Sequence, residues 1–360
     1  MPINALNIKS RITDYVVHFT HLESFLEPHI SSANVIFIVD RKVWDLHNER
    51  SLKTLSKKKI ILLDVDERIK NMRTVEDLYE KLTDNPLKKN LTLVSIGGGI
   101  TQDLTGFLAS TLYRGINWIY IPTTLLAQAD SCIGAKTSLN FKEYKNLIGT
   151  FYPPTTVYIY PGFLTTLSDY DFFSGLGEIV KLMIIAGGNN LERFYQNVVS
   201  LCNRKDPEIL LEFLYRSLQI KQIFIEEDEF DKGRRNILNY GHCIGHALES
   251  SNDYKIPHGQ AVVVGMALAN IISKNRGLLN EEEERSIFEN GILPVTKVKI
   301  NEINTDTGSI VSGLKKDKKR EGAGLPLIIL KNNFEFTKII DLTPEEITYS
   351  ISEYKHRMND

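Results

Sequence analysis

Four short apolar runs, rich in β-branched residues, leave the first half of this chain little choice of architecture. They are VIFIVD (Val35–Asp40), IILLDVD ending at Asp66, LTLVSIGGG (Leu91–Gly99) and WIYIPTT (Trp118–Thr124). Between them lie segments such as TVEDLYEKL with helical spacing. Continuous apolar strands alternating with helices predict a parallel sheet covered on both faces. From about Leu167 onward helical patterns take over. PEILLEFLYRSLQIKQIFIEEDEF is one long amphipathic run that opens on a proline, which a first helical turn accepts. TPEEITYSISEY carries a Thr343 cap, Pro344 in the first turn and Glu346 at the capping-box position. The expectation is an α/β, Rossmann-like nucleotide-binding domain over residues 1–166. An all-α metal- and substrate-binding domain over 167–360 follows it.

The 360 residues suit two domains, and 42% hydrophobic with 24% charged residues is an ordinary composition able to bury a large core. A net charge of -2 gives no basic field, so no nucleic-acid partner is expected. No apolar run is long enough to span a bilayer, and MPINALNIKSRITDY has no signal-peptide h-region. Three cysteines, Cys132, Cys202 and Cys243, are few and odd in number, which points to a reducing cytoplasm.

Three features carry chemistry. In SIGGGITQDLTGF, Gly97, Gly98 and Gly99 let a ligand approach the backbone, and the helix that follows offers N–H groups to a phosphate. In isolation Asp103 reads as a helix cap, and Glu67 with Lys70 in DERIK as a solvated ion pair. The second feature is NYGHCIGHALESSNDYKIPHG, which holds three of the eight histidines. His242 and His246, at i and i+4, share a helix face. With His258 they are one candidate ligand set for a catalytic metal, which takes three N/O ligands and keeps an open position. Two histidines and a carboxylate are another, with Glu178 of SGLGEIVKLMII as the best donor. Glu178 and Lys181 are costly to bury among Leu, Ile and Val without a partner or a metal. Spacing alone does not choose between the sets. Third, the stretch Arg114–Pro154 sets Asp130, Lys136, Lys145 and Asn146 among small and apolar residues, as a site for phosphate or carboxylate would.

Read together and in order, GGGxxxDLxGFxAS, YRG, PTTLLAQxDSxxGxKT, KNLIGxFYxP, FLxTL, GLxEIVK, NxGHxxGHALE and HG resemble the sugar phosphate cyclases, and the 3-dehydroquinate synthases most of all. The resemblance runs from about Asp40 to Lys319. It implies zinc or cobalt on Glu178, His242 and His258. It implies NAD contacts at Gly97, Gly98, Gly99, Asp103, Thr123, Thr124, Phe163 and Thr166, and less firmly at Asp40, Glu67 and Lys70. Asp130, Lys136, Lys181, Asn239 and His246 then fall at catalytic positions. Lys145, Asn146, Lys221 and Arg235 fall at substrate positions, and so does a loop lysine, Lys318 or Lys319. Arg114 matches an arginine that reaches a neighbouring subunit's phosphate site, which implies a homodimer.

The implied activity converts a seven-carbon sugar phosphate, 3-deoxy-D-arabino-heptulosonate 7-phosphate, into the carbocycle 3-dehydroquinate, with loss of phosphate and with NAD regenerated in each turnover. Such an activity belongs to the shikimate route to aromatic amino acids. Several positions depart from the family pattern: Ala135 for a glycine, Gln260 for an acid after HG, Asp231 for a glutamate and Gln102 for a glycine. GAKTSLNF resembles instead the valiolone-type cyclases of sedoheptulose 7-phosphate. A rival from another class is an NAD-dependent metal polyol dehydrogenase.

Overall fold

The computed structural model describes residues 5–359 except 21–25, 27–33, 58, 84–88, 143, 205 and 317–323, so Lys318 and Lys319 lie outside the described residues. The chain divides into two compact units, Met1–Leu167 with Gln222–Phe230, and Ser168–Lys221 with Asp231–Asp360.

The first unit is built on a seven-stranded sheet. Its strands are β1 (Leu6–Ile8), β2 (Tyr15–Phe19), β3 (Val35–Asp40), β4 (Ile60–Leu63), β5 (Thr92–Gly97), β6 (Asn117–Pro122) and β9 (Thr156–Ile159). A separate antiparallel hairpin joins β7 (Lys136–Phe141) to β8 (Tyr144–Phe151). The sheet order is β1-β2-β9-β6-β5-β3-β4, parallel except for β1 against β2. The four apolar runs of the sequence are β3 to β6. Phe37, Val39, Val94, Ile96, Ile119 and Ile121 from three of these strands form one core cluster. Helix α1 (Arg41–His47) follows β3, α2 (Met72–Thr83) buries Val75, Leu78 and Leu82 at helical spacing, and α3 (Gly99–Thr111) follows β5. β3 pairs with β4 on one side and with β5 on the other. The sheet therefore grows in opposite directions from β3, and the carboxyl ends of β3 and β5 form a switch point where open α/β sheets bind ligands.

The second unit is helical: α4 (Asp169–Ala186), α5 (Gly188–Cys202), α6 (Pro207–Glu227), α7 (His242–Ser251), α8 (His258–Asn275), α9 (Glu281–Ile287), α10 (Thr307–Lys316) and α11 (Pro344–Asn359). The last residues of α6 belong to the first unit. Pro207 and Pro344 open their helices as their sequences predict. One addition to the helical expectation is an antiparallel pair, β10 (Leu327–Lys331) with β11 (Glu335–Ile339). LIIL is buried along its whole length, so it shows no period-2 alternation to mark it as a strand.

Candidate metal and nucleotide sites

Glycine brings α4 and α8 of the second unit together. A Cβ added at Gly177 would overlap the carbonyl of Gly259, and one added at Gly259 would overlap the carbonyl of Ser174. Such close backbone approach puts Glu178 beside His258, the first residue of α8. Oε1 of Glu178 is 3.4 Å from Nε2 of His258 and 3.6 Å from Nε2 of His242. The ligating atoms of the three residues all lie within 4.8 Å of one another. Lys181 Nζ sits 2.5 Å from the other carboxylate oxygen, Oε2. Both side chains of this ion pair are almost wholly buried. His246, one turn after His242 on α7, is exposed, and a second group of ligating atoms joins it to Glu249 and His258.

Burial opposes ionisation of Glu178, but Lys181, with His242 and His258, holds its carboxyl well below the usual carboxylate range. Burial and the charge of Lys181 push His242 well below the usual histidine value. His258 goes the other way. Burial resists its protonation, yet Glu178 and Glu249 draw a proton onto the ring and lift its pKa to about 10. Neither oxygen of Glu178 accepts a hydrogen bond of ordinary geometry. A buried carboxylate that pairs with a lysine through one oxygen and converges with the other on two imidazoles is a donor set that fits a divalent cation. Also in this unit, Lys221 and Arg235 are buried, with 6% and 4% of their surface exposed. Such burial rules out a solvated face for either. Asn239 ends a 3-10 turn that begins at Arg234 and donates to the carbonyl of Asn236.

In the first unit the glycine turn ends β5, and Gly98 caps α3 with no side chain of its own. A Cβ at Gly97 would strike Thr101, and one at Gly98 would press on the methyl of Thr124. Thr124 Oγ1 caps the turn after β6 by accepting from Ala127 N–H, and Thr123 is buried beside it. That turn, Ala127–Ser131, carries Asp130. Asp40 ends β3 and caps α1, and burial raises its pKa. Thr166 Oγ1 meets His47 Nε2 at 2.9 Å, and the Phe163 ring packs edge-on to His47 within the core.

Two readings made from spacing alone are corrected here. Asp103 is not a cap: it sits inside α3 and pairs with Lys70 at 2.6 Å. Lys70 is not solvated: it is buried and also donates to Asn146 Oδ1 at 2.5 Å. Ser138 closes the network with hydrogen bonds to Asp103 and Asn146. Asn140 takes the Glu67 carboxylate at 2.8 Å and accepts the backbone N–H of Asn146, while Lys145 Nζ lies 3.9 Å from Glu67. Pairing strands β7 and β8 folds these residues onto one another, a contact between distant segments that linear spacing does not reveal. Asn140, Ser138, His47 and Glu249 were not singled out by the sequence. Only Glu249 left a signal there, three residues after His246 on the same helix. Lys136 and Arg114 are exposed, and Arg114 has a left-handed backbone, φ 69°.

Comparison with known proteins gives the family. The family description "3-dehydroquinate synthase N-terminal" matches residues 60–174, and "3-dehydroquinate synthase C-terminal" matches 175–320. The 3-dehydroquinate synthase of Campylobacter concisus is 36% identical, covering 99% of this chain and 100% of that protein. The Clostridium kluyveri 3-dehydroquinate synthase is 34% identical over 85% of each chain. Among solved structures, 2-deoxy-scyllo-inosose synthase with carbaglucose-6-phosphate, NAD+ and Co2+ superposes with a TM-score of 0.85 at 27% identity, over 97% of this chain and 99% of that one. The 2-epi-5-epi-valiolone synthase of Streptomyces hygroscopicus, with NAD+ and Zn2+, gives 0.83 at 25% identity and the same coverage. An iron-containing alcohol dehydrogenase, at 16% identity and a TM-score of 0.63, shares the fold. With both halves matched and near-complete relatives above 30% identity, the chain belongs to the 3-dehydroquinate synthase family of sugar phosphate cyclases.

Proposed function

We propose that this protein is an NAD- and divalent-metal-dependent cyclase that converts 3-deoxy-D-arabino-heptulosonate 7-phosphate into 3-dehydroquinate and phosphate. The observation that carries the reading is the buried Glu178 carboxylate set against Nε2 of His242 and of His258, with Lys181 on its other oxygen. Glu178, His242 and His258 would hold the cation, zinc or cobalt. A cation held there would supply Lewis-acid chemistry toward a substrate oxygen. Bound NAD would supply reversible hydride transfer at a secondary alcohol, with no net consumption.

The chain's own residues hold and orient the substrate. In the first unit, NAD would lie at the switch point, against Asp40, Glu67, Lys70, Gly97, Gly98, Gly99, Asp103, Thr123, Thr124, Phe163 and Thr166. Lys136, Lys145 and Asn146, on the hairpin, are cationic or amide donors suited to phosphate. In the second unit, Asn239 and His246 would serve the leaving phosphate, and Lys221 and Arg235 the substrate carboxylate. Lys181 keeps Glu178 ionised and would donate to a substrate oxygen. Asp130 is assigned to the substrate as well. In a homodimer Arg114 would reach the partner's phosphate, and Lys318 or Lys319 would add a further cation. The domain boundary belongs near residue 166, and the setting is cytoplasmic, in aromatic amino acid synthesis.

Phosphate release tests the reading. Purified protein with NAD and Co2+ should liberate phosphate from the heptulosonate phosphate without net NADH. Release from sedoheptulose 7-phosphate alone would favour the valiolone-type reading, for which the GAKTSLNF segment speaks. Accumulating NADH without phosphate release would make the protein a polyol dehydrogenase.

A further inference from the structure

His258 belongs to both groups of ligating atoms, and it turns a different ring nitrogen toward each of two carboxylates. Nε2 is 3.4 Å from Glu178 Oε1, and Nδ1 is 3.3 Å from Glu249 Oε2. Glu249 is buried, on α7. We infer that Glu249 is a positioning residue of the metal centre: it holds the Nδ1–H of His258 and so aims the Nε2 lone pair at the cation, without being a ligand itself. The inference rests on the metal reading given above.

The argument is one of donors and acceptors. A carboxylate only accepts, so the ring must donate from Nδ1. Whatever proton Nε2 carries, it is the nitrogen left for a metal. His242 repeats the pattern independently. Its Nδ1 lies 3.1 Å from the carbonyl oxygen of Tyr240, which also only accepts, and its Nε2 faces Glu178. Both imidazoles thus turn Nδ1 to an acceptor behind the ring, and both present Nε2 to the same carboxylate. Outer carboxylate or carbonyl partners of this kind orient metal-bound histidines, and losing one typically weakens metal binding by about 10–100-fold. The rival arrangement, with the ion on His246, Glu249 and His258, would place a cation where the His258–Glu249 hydrogen bond now runs.

Metal affinity, measured by competition between the protein and a chromophoric chelator for Zn2+ or Co2+, separates the two. Glu249→Ala should weaken binding by about 10–100-fold. Glu249→Gln keeps an acceptor oxygen for Nδ1–H and should recover most of that loss. His246→Ala should leave affinity within about twofold. Imidazole 15N shifts of the Zn2+-loaded protein should report Nδ1–H on His258, and Glu249→Ala should lose that signature. Co2+ spectra of wild type and Glu249→Gln should match, since the ligand set is the same. Unchanged affinity in Glu249→Ala would overturn the inference and leave the metal reading intact. Loss of metal from Glu249→Gln and His246→Ala alike would move the ion to the rival set. Retention of metal by Glu178→Ala and His242→Ala would sink the metal reading itself.

Discussion

Lys181 Nζ lies 2.5 Å from Glu178 Oε2, three residues earlier on the same helix, and both side chains are almost fully removed from solvent. A buried carboxylate stripped of its cation is among the costlier defects a fold can carry, about 3–5 kcal/mol when one partner of a buried pair is lost. Lys181→Met should therefore lower stability in chelator by about that amount. Zn2+ supplies another positive charge to Glu178, so it should restore most of the loss. Urea midpoints with and without Zn2+ measure both numbers. An equal loss under the two conditions would mean that no cation reaches Glu178.

Ala135 adopts φ 61°, in the left-handed region where a side chain is strained. The left-handed backbone costs a non-glycine residue about 1–2 kcal/mol. Glycine gives back about 0.4–1 kcal/mol through its freer unfolded chain. The first effect outweighs the second, so Ala135→Gly should stabilise the protein by roughly 0.5–1 kcal/mol. A lower urea midpoint in the variant would show that the Ala135 methyl contributes more packing than its backbone loses.

The strands β3 to β6 could be read because continuous apolar runs bounded by Gly, Pro and Asp have few alternatives. The Thr343–Glu346 capping box could be read because its two hydrogen bonds are local, Glu346 N–H to Thr343 Oγ1 and Thr343 N–H to Glu346 Oε2. Lys70 could not. Its partners, Asp103 and Asn146, are 33 and 76 residues away, and only sheet pairing and the hairpin bring them near. The same holds for Glu178 and the histidines: their types were suggestive, but the close crossing of α4 and α8 at Gly177 and Gly259 decides which of them meet.

Arg276 ends α8 and holds Glu346 at 2.6 Å and Asp341 at 2.8 Å. Its hydrogen bonds keep both carboxyls below their usual range. A lowered folded pKa means that the stabilisation is complete above the unfolded value, about 4.3 for glutamate. It is lost as pH falls through the folded value. Arg276→Ala should cost about 1 kcal/mol at neutral pH, the upper end for a solvent-screened pair. The deficit should begin to shrink as pH falls below about 5 and vanish only below the lowered folded-state values. Denaturation midpoints of the two proteins across that range provide the test. A deficit independent of pH would assign the loss to packing of the arginine stem.

The choice of sugar phosphate turns on the end of the molecule remote from its phosphate. A heptulosonate carries a carboxylate next to its anomeric carbon, whereas sedoheptulose 7-phosphate carries a hydroxymethyl group there. Lys221, on α6, and Arg235, in the turn before Asn239, are both buried, where a cation is retained only against counter-charge or strong acceptors. Two such cations suit a carboxylate substrate and have little to offer a neutral hydroxymethyl group. Lys221→Met and Arg235→Ala should each raise KM for 3-deoxy-D-arabino-heptulosonate 7-phosphate by at least about tenfold, equivalent to about 1.4 kcal/mol of binding. The affinities for NAD and for Co2+ should change far less, since neither residue is assigned to them. Equal losses in all three would mark the two cations as structural. Turnover of sedoheptulose 7-phosphate by the unmodified protein, with none of the heptulosonate phosphate, would overturn the carboxylate assignment and leave the valiolone-type cyclase in its place.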